Sequence, residues 1–107
     1  MTDRHAIGRA MEREAMHYAW KYYNWHGFWQ PPRGKFASQD LWGVGDFIAF
    51  DQNGVLQVVQ VYQDRRCWVD ARKHALNVWL VDERPLAMAC VMAYKRAKDG
   101  TVTWRRI

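Results

Sequence analysis

The sequence predicts an α/β fold in which a mixed central sheet is flanked by helices. Two segments show the 3.6-residue apolar repeat of helices, and runs of β-branched and aromatic residues typical of strands lie between and after them. The segment Asp51-Gln52-Asn53-Gly54 is a strong turn signal between two such runs, which predicts a β-hairpin. One helix on each face of the sheet is the simplest way to bury the apolar side of both helices.

The first predicted element is a helix over about residues 6–26, with Gly27 as its C-terminal cap. Its apolar residues recur three and four positions apart: Ile7, Met11, Tyr18, Tyr22 and Trp25. Glu14 falls on this stripe, and Glu12 lies on the adjoining face. An acid that faces a core needs a salt bridge or a bound cation, and both explanations remain open.

A β-hairpin over about residues 45–62 is predicted to organise the chain, because it carries a polar residue near the open end of each strand. Asp46 begins the first strand, and Gln60 lies late in the second. Whether the two side chains meet depends on the register of the hairpin, since side chains alternate between the faces of a sheet.

Two registers are open, and they differ in the length of the turn. A two-residue turn would place Asp46 and Gln60 on opposite faces of the sheet. A three-residue turn that ends in a left-handed Gly54 would pair Asp51 with Val55. That register sets Asp46 opposite Gln60. We predict the three-residue turn, because one face of the hairpin then has an apolar floor that ends in a polar corner.

The rest of the chain is predicted to add an edge strand, a second helix and a final pair of strands. Two prolines exclude helix and central strand from Phe28–Ser38, which leaves a short edge strand and a loop. A helix is predicted over about Trp68–Val81, with this buried stripe: Trp68, Ala71, Ala75, Val78 and Trp79. Leu86–Tyr94 is typical of a strand covered on both faces, and Thr101–Ile107 of an edge strand.

Composition predicts one cytoplasmic domain over residues 1–107. This length suits a single domain, and half of the residues are hydrophobic. No apolar run approaches the ~20 residues of a membrane span, and the first residues lack the apolar segment of a signal peptide. Cys67 and Cys90 are expected to be reduced core thiols, and the four histidines lack the spacing of a metal site.

The positive charge is concentrated in the second half of the chain. The net charge is +5, and the segment from Arg65 onward contains ten Lys and Arg but four Asp and Glu. Such an excess favours a polyanionic partner, with a basic solvated surface as the alternative. The residues expected to contact a nucleic-acid backbone are Arg33, Lys35, Arg65, Arg66 and Arg72.

The polar corner of the hairpin could hold a metal ion. The Asp46 carboxylate and the Gln60 amide would contribute oxygen donors, together with Glu12 or Glu14 from the first helix. Asp40 either caps its turn or approaches the same site. Oxygen donors of this kind suit Mg²⁺ or Mn²⁺. Such a metal polarises a phosphate and lowers the pKa of a bound water molecule.

Five short motifs occur in an order that covers nearly the whole chain. They are Met11-Glu12-Arg13-Glu14 in the first helix, Gly45–Ala49, Val58–Tyr62, the helix that follows, and the final strands that end in Trp104-Arg105-Arg106-Ile107. Their combination resembles the PD-(D/E)xK nuclease superfamily, in particular archaeal Holliday junction resolvases and related small phage nucleases. The resemblance implies a single nuclease-like domain with a restriction-endonuclease-like αβββαβ core. It also implies an Mg²⁺-dependent endonuclease that cuts DNA, with branched or junction DNA as the candidate substrate.

Carried onto this chain, the resemblance assigns the metal site to Glu12, Asp46 and Gln60. The chain departs from the family pattern, a carboxylate followed by any residue and then lysine, because it has Gln60-Val61-Tyr62. The glutamine keeps an oxygen donor but loses a charge, and the tyrosine can only donate a hydrogen bond. Lys73, or less favourably Arg72, is expected to supply the missing catalytic cation.

Two functions from different classes therefore remain open. The first is the metal-dependent endonuclease, and the second is a catalytically degenerate nuclease-fold protein that binds nucleic acid or a protein as an accessory factor. An unrelated α+β domain whose resemblance is coincidental is a third, weaker alternative. Three aromatic residues, Trp20, Tyr23 and Trp29, are expected to be exposed. They favour a homodimer interface over base stacking, and the resolvases that the chain resembles act as dimers.

Overall fold

The computed structural model, which describes residues 4–31 and 45–107, has a five-stranded mixed sheet with a helix on each face. Its elements are α1 (Arg4–Tyr23), β1 (His26–Trp29), β2 (Phe47–Phe50), β3 (Leu56–Gln63), α2 (Arg66–Glu83), β4 (Ala87–Arg96) and β5 (Val102–Arg106). The strands lie in the sheet in chain order, and only β3 and β4 are parallel, because α2 crosses between them. The predicted α/β class is confirmed, and the element order is compatible with an αβββαβ-type core.

The hairpin of β2 and β3 has the register of the predicted three-residue turn. Phe47 pairs with Val59 in its ladder. At the turn, the Asp51 N–H donates to the Val55 carbonyl at 2.9 Å, and the Gly54 N–H donates to the Asp51 carbonyl at 3.0 Å. Gly54 has a φ of 78°, which glycine adopts without strain. The predicted turn and the pairing of residues 47–50 with residues 56–59 are therefore confirmed.

Two buried clusters lie on opposite faces of the sheet. The first joins the sheet to α1 and consists of Met11, Ala15, Ala19, Trp25, Phe47, Ala49, Val59, Val61, Cys90 and Met92. The second joins it to α2 and consists of Val58, Val69, Leu76, Val91 and Ala93. Because side chains alternate along a strand, consecutive residues of β3 and β4 serve different clusters. The prediction that β4 is covered on both faces is confirmed.

The buried stripe of α1 differs from the predicted one. Within residues 8–23 of α1, the buried residues are Met11, Glu12, Ala15 and Ala19, whereas Tyr22 and Glu14 are exposed. Alanines let the helix approach the sheet closely, and the larger aromatic side chains lie beside the contact instead of within it. The helix also ends earlier than predicted, since Asn24 takes the left-handed conformation with a φ of 57°. Gly27 is a residue of β1, where a Cβ atom would come within 2.9 Å of the Phe50 ring.

The buried stripe of α2 was also predicted wrongly. Val69 and Leu76 are buried, but Trp68 and Val78 of the predicted stripe are exposed. Apolar residues occur on several sides of this helix, so their spacing alone does not select the side that meets the sheet. Cys67, on the same helix, is exposed and not the core thiol that was expected. No helix within residues 4–31 and 45–107 is long and apolar enough to cross a membrane.

The two candidate stripes of α2 can be separated by mutation. We expect Leu76→Ala to lower the free energy of unfolding by about 3 kcal/mol, because the side chain is 0% exposed and leaves a cavity. Val78→Ala, at a position 44% exposed, is expected to change it by less than about 0.5 kcal/mol. Urea denaturation measures both values. The reverse order would support the stripe predicted from the sequence.

The turn of the hairpin should make stability depend on pH. The Asp51 carboxylate accepts the N–H groups of Asn53 and Val55 at 2.8 and 2.9 Å, and these bonds hold its pKa below the ordinary range. A lowered folded pKa stabilises the protein above the unfolded pKa, and this contribution is lost as pH falls through the folded pKa. The melting-temperature gap between wild type and Asp51→Ala should therefore be largest at neutral pH and shrink below about pH 4. The matched variant Gln52→Ala should show a gap that does not depend on pH.

Candidate functional site

A cavity of about 620 Å³ opens at the end of the sheet where β2 begins and β3 ends. Because β2 and β3 are antiparallel, the first residues of one strand lie beside the last residues of the other. The cavity is lined by residues of α1, both strands, α2 and β4: Gly8, Met11, Glu12, Asp46, Gln60, Val61, Tyr62, Gln63, Trp68 and Tyr94. Three of the residues predicted for the metal site, Glu12, Asp46 and Gln60, therefore line one cavity.

Hydrogen bonds to β3 hold Asp46 in place. Its N–H donates to the Val59 carbonyl at 2.7 Å, and the Val61 N–H donates to its Oδ2 at 2.7 Å. Since Val59 also pairs with Phe47, Asp46 leaves the regular ladder in the manner of a β-bulge. Its main chain therefore bonds to Val59 and not to Gln60, which was the predicted partner. The carboxylate takes the place of a main-chain acceptor in the ladder and is 7% exposed.

Glu12 is the acid of α1 that joins Asp46 at the cavity. Its side chain is 4% exposed, and Nε2 of Gln30 donates to its Oε2 at 3.0 Å. Glu14 follows two residues later, which turns it by roughly 200° around the helix axis. It is exposed and lines a separate groove between α1 and β5. The structure thus separates the two acids that the sequence left as alternatives.

The cations of α2 have a different arrangement from the expected one. Lys73 does not line the cavity, and its Nζ donates to the carbonyls of Ala89 and Ile107 at 3.3 Å each. Arg72 lies with its Cζ 4.4 Å from the centroid of the Tyr62 ring, which lines the cavity. Consecutive residues of a helix point about 100° apart, so only one of the two can face this side. Arg72, the less favoured candidate, is the one beside the cavity.

Aromatic rings form the remaining wall of the cavity. The ring centroids of Tyr62 and Trp68 are 5.7 Å apart at 84°, and Cζ of Arg65 lies 4.6 Å from the centroid of the Trp68 ring. Burial raises the pKa of the Tyr94 hydroxyl, so this group stays neutral at neutral pH and can donate a hydrogen bond. The wall thus combines hydrogen-bond donors with cations on its outer side.

Some site residues were not found from the sequence, and others cannot be placed. Gln30 and Tyr94 carried no signal, because the contact of Gln30 with Glu12 and the position of Tyr94 on the cavity wall depend on how distant segments pack. Trp68 was assigned to the core by its helical spacing. Of the predicted residues, Arg33, Lys35 and Asp40 lie outside the described part of the chain.

The exposed aromatic residues differ in part from the expected set. Trp20 and Trp29 are exposed, as predicted, with Trp20 at 59%. Tyr23 is half-buried, with its ring 5.4 Å from that of Trp25, and Tyr22 is exposed in its place. The side of α1 away from the sheet therefore carries exposed aromatic side chains, but they are not the same set as the predicted one.

The residues that line the cavity differ from a metal site built only of charged or thiol ligands. Within residues 4–31 and 45–107, no three His, Cys, Asp or Glu side chains are grouped as a metal site. The cavity is instead lined by two acidic residues, Glu12 and Asp46, and by Gln60. No protein-family model, curated protein or solved structure matches the chain. Function must therefore be inferred from the geometry of the cavity.

Proposed function

We propose that the protein is a metal-dependent endonuclease that hydrolyses phosphodiester bonds in DNA, with branched or junction DNA as the substrate to test first. The observation that carries the proposal is the presence of Glu12, Asp46 and Gln60 on the wall of one cavity. Their oxygen atoms suit Mg²⁺ or Mn²⁺, which prefer hard oxygen ligands. A bound ion would polarise the phosphate and lower the pKa of a water molecule.

The hydrogen bonds that Glu12 and Asp46 accept are consistent with a role of these carboxylates as metal ligands. Gln30 donates to Glu12, and the Val61 N–H donates to Asp46, so each carboxylate is held in one orientation. Fixed partners of this kind orient metal ligands and are part of a metal site. Mg²⁺ keeps several water molecules when bound, so two or three protein oxygens are enough. Gln60, in place of an acid, should make the affinity lower than a third carboxylate would give.

Residues of α2 would hold the nucleic-acid backbone beside the cavity. The Arg72 guanidinium, supported by the Tyr62 ring, would bind a phosphate and stabilise the negative charge that develops on it. Arg65 and Arg66 lie at the same end of the helix and are exposed. Such contacts give affinity without reading sequence. A homodimer formed through exposed aromatic residues such as Trp20 belongs to the same proposal.

A second candidate is a protein that binds nucleic acid and has lost catalysis. The contacts of Lys73 favour it, since this lysine is bound to main-chain carbonyls of the sheet and does not line the cavity. Gln60 and Tyr62, in place of the expected acid and lysine, also favour a protein that binds nucleic acid without cutting it. Such a protein would bind DNA with an affinity that falls steeply with salt, and would cut none.

Metal binding and cleavage separate the two candidates. We expect Mn²⁺ to bind in calorimetric titration, and supercoiled or branched DNA to be cut when Mg²⁺ or Mn²⁺ is present. Asp46→Asn keeps an oxygen that can accept the Val61 N–H but removes the negative charge. This variant should lose both Mn²⁺ binding and DNA cleavage. Gln60→Glu should tighten Mn²⁺ binding about tenfold, equivalent to ~1.4 kcal/mol, because it adds a charge.

Asp82→Asn is the matched control, since it removes an exposed acid at the far end of α2. It should bind Mn²⁺ and cut DNA as the wild type does. DNA binding without cleavage under any divalent ion would favour the second candidate. Mn²⁺ binding that is the same in wild type and Asp46→Asn would contradict the metal site.

The cation that assists cleavage can be identified with two adjacent residues. Arg72→Ala should lower the cleavage rate about 10²-fold, the usual effect of removing one group that stabilises developing charge. Lys73→Met should leave the rate near the wild-type value, because the Lys73 Nζ is bonded to main-chain carbonyls of the sheet, whereas Arg72 lies over the Tyr62 ring beside the cavity. Single-turnover cleavage with saturating protein measures both. A large loss in Lys73→Met alone would restore the assignment made from the sequence.

A further inference from the structure

Four side chains form a continuous stack on one rim of the cavity, and we call it the rim stack: Arg65, Trp68, Tyr62 and Arg72. The Arg65 Cζ is 4.6 Å from the Trp68 centroid, and the Arg72 Cζ is 4.4 Å from the Tyr62 centroid. The two rings between them are 5.7 Å apart and nearly perpendicular. Tyr62 and Trp68 also line the cavity, and the two arginines lie over their rings.

The exposure of Trp68 suggests a role outside the core. This indole is 41% exposed, whereas Trp79 of the same helix is half-buried and packs against the cluster under α2. An exposed indole that is flanked by arginines contributes little to core packing. It does offer a flat apolar surface beside two groups that bind phosphate.

The charge around the rim stack favours an anionic partner. The first turn of α2, Arg66–Val69, contains no acid. Asp64, just before the helix, accepts two hydrogen bonds from Arg105, at 3.1 and 2.8 Å, so its charge is already compensated. Arg65 and Arg72 keep their full charge while they lie over aromatic rings, because cation–π contacts do not neutralise a guanidinium.

We propose that the rim stack binds an unpaired nucleobase of a single-stranded nucleic-acid segment, with Arg65 and Arg72 on the adjoining phosphates. The inference rests on the proposed function in that nucleic acid is the partner, but it requires no catalysis. An aromatic side chain can stack on any base whose face is free, whereas base pairs in a duplex cover each other's faces. The protein should therefore prefer single-stranded segments, as found at gaps and branches, to continuous duplex.

Binding to labelled oligonucleotides tests the inference. The probes are a fluorescent thymidine dodecamer and a duplex of the same length, titrated with the full chain in EDTA so that no cleavage occurs. We expect the single strand to bind more tightly than the duplex in fluorescence anisotropy. Trp68→Ala should weaken single-strand binding about tenfold, within the range measured for loss of one stacking contact. Trp68→Phe keeps a ring and should stay within about threefold of wild type.

Two further variants isolate the rim stack. Phe50→Ala removes an aromatic ring on β2 that is 41% exposed, as Trp68 is, and does not line the cavity, so it should leave the affinity unchanged. Arg72→Ala removes one phosphate contact and should reduce the slope of log affinity against log salt by about 0.7. This slope reports a direct ionic contact, which a purely structural role of Arg72 would not provide.

Equal affinity for single strand and duplex would overturn the inference, as would equal losses in Trp68→Ala and Phe50→Ala. The absence of oligonucleotide binding would also overturn it. Competition by poly-glutamate as effective as that by oligonucleotide would point to an acidic protein partner and contradict base stacking. A chain that shows the expected single-strand preference but cuts no DNA refutes only the endonuclease. Cleavage without that preference refutes only the base-binding role.

Discussion

The register of β2 on β3 is the constraint on which the candidate site depends. It is set by the turn in which the Gly54 N–H donates to the Asp51 carbonyl and the Asp51 carboxylate accepts two further main-chain N–H groups. A slip of one residue would exchange the faces of every side chain in β2. With the observed register, Asp46 reaches the Val61 N–H, and its carboxylate lies on the wall of the cavity.

The parallel pairing of β3 and β4 completes the site. A parallel pair needs a crossover connection, and α2 supplies it on one face while α1 covers the other. The start of α2 follows directly after the end of β3, so its aromatic and basic residues meet the hairpin at the same edge of the sheet. Ligand sites of α/β sheets commonly lie at the carboxyl ends of parallel strands, and this cavity has that position.

Charge is distributed unevenly between the cavity and its rim. Glu12 and Asp46 are buried on the wall, whereas Arg65 and Arg72 lie over aromatic rings at the outer side. This arrangement suits a cation inside and a polyanion outside, which is the order in which a metal ion and a nucleic-acid backbone would bind. Lys73 is next to Arg72 in the chain, but the helical period turns it toward the sheet, where its Nζ donates to the Ala89 carbonyl of β4.

The sequence by itself determined the α/β class, the element order and the hairpin register, since these follow from local periodicity and from the turn residues around Gly54. It also predicted that Glu12, Asp46 and Gln60 lie near one another, and all three line one cavity. Only the tertiary structure decided which side of each helix is buried, because both helices carry apolar residues on more than one side and contact with the sheet selects among them. That selection buried Glu12 and Leu76, exposed Glu14 and Trp68, and placed Arg72 and not Lys73 beside the cavity.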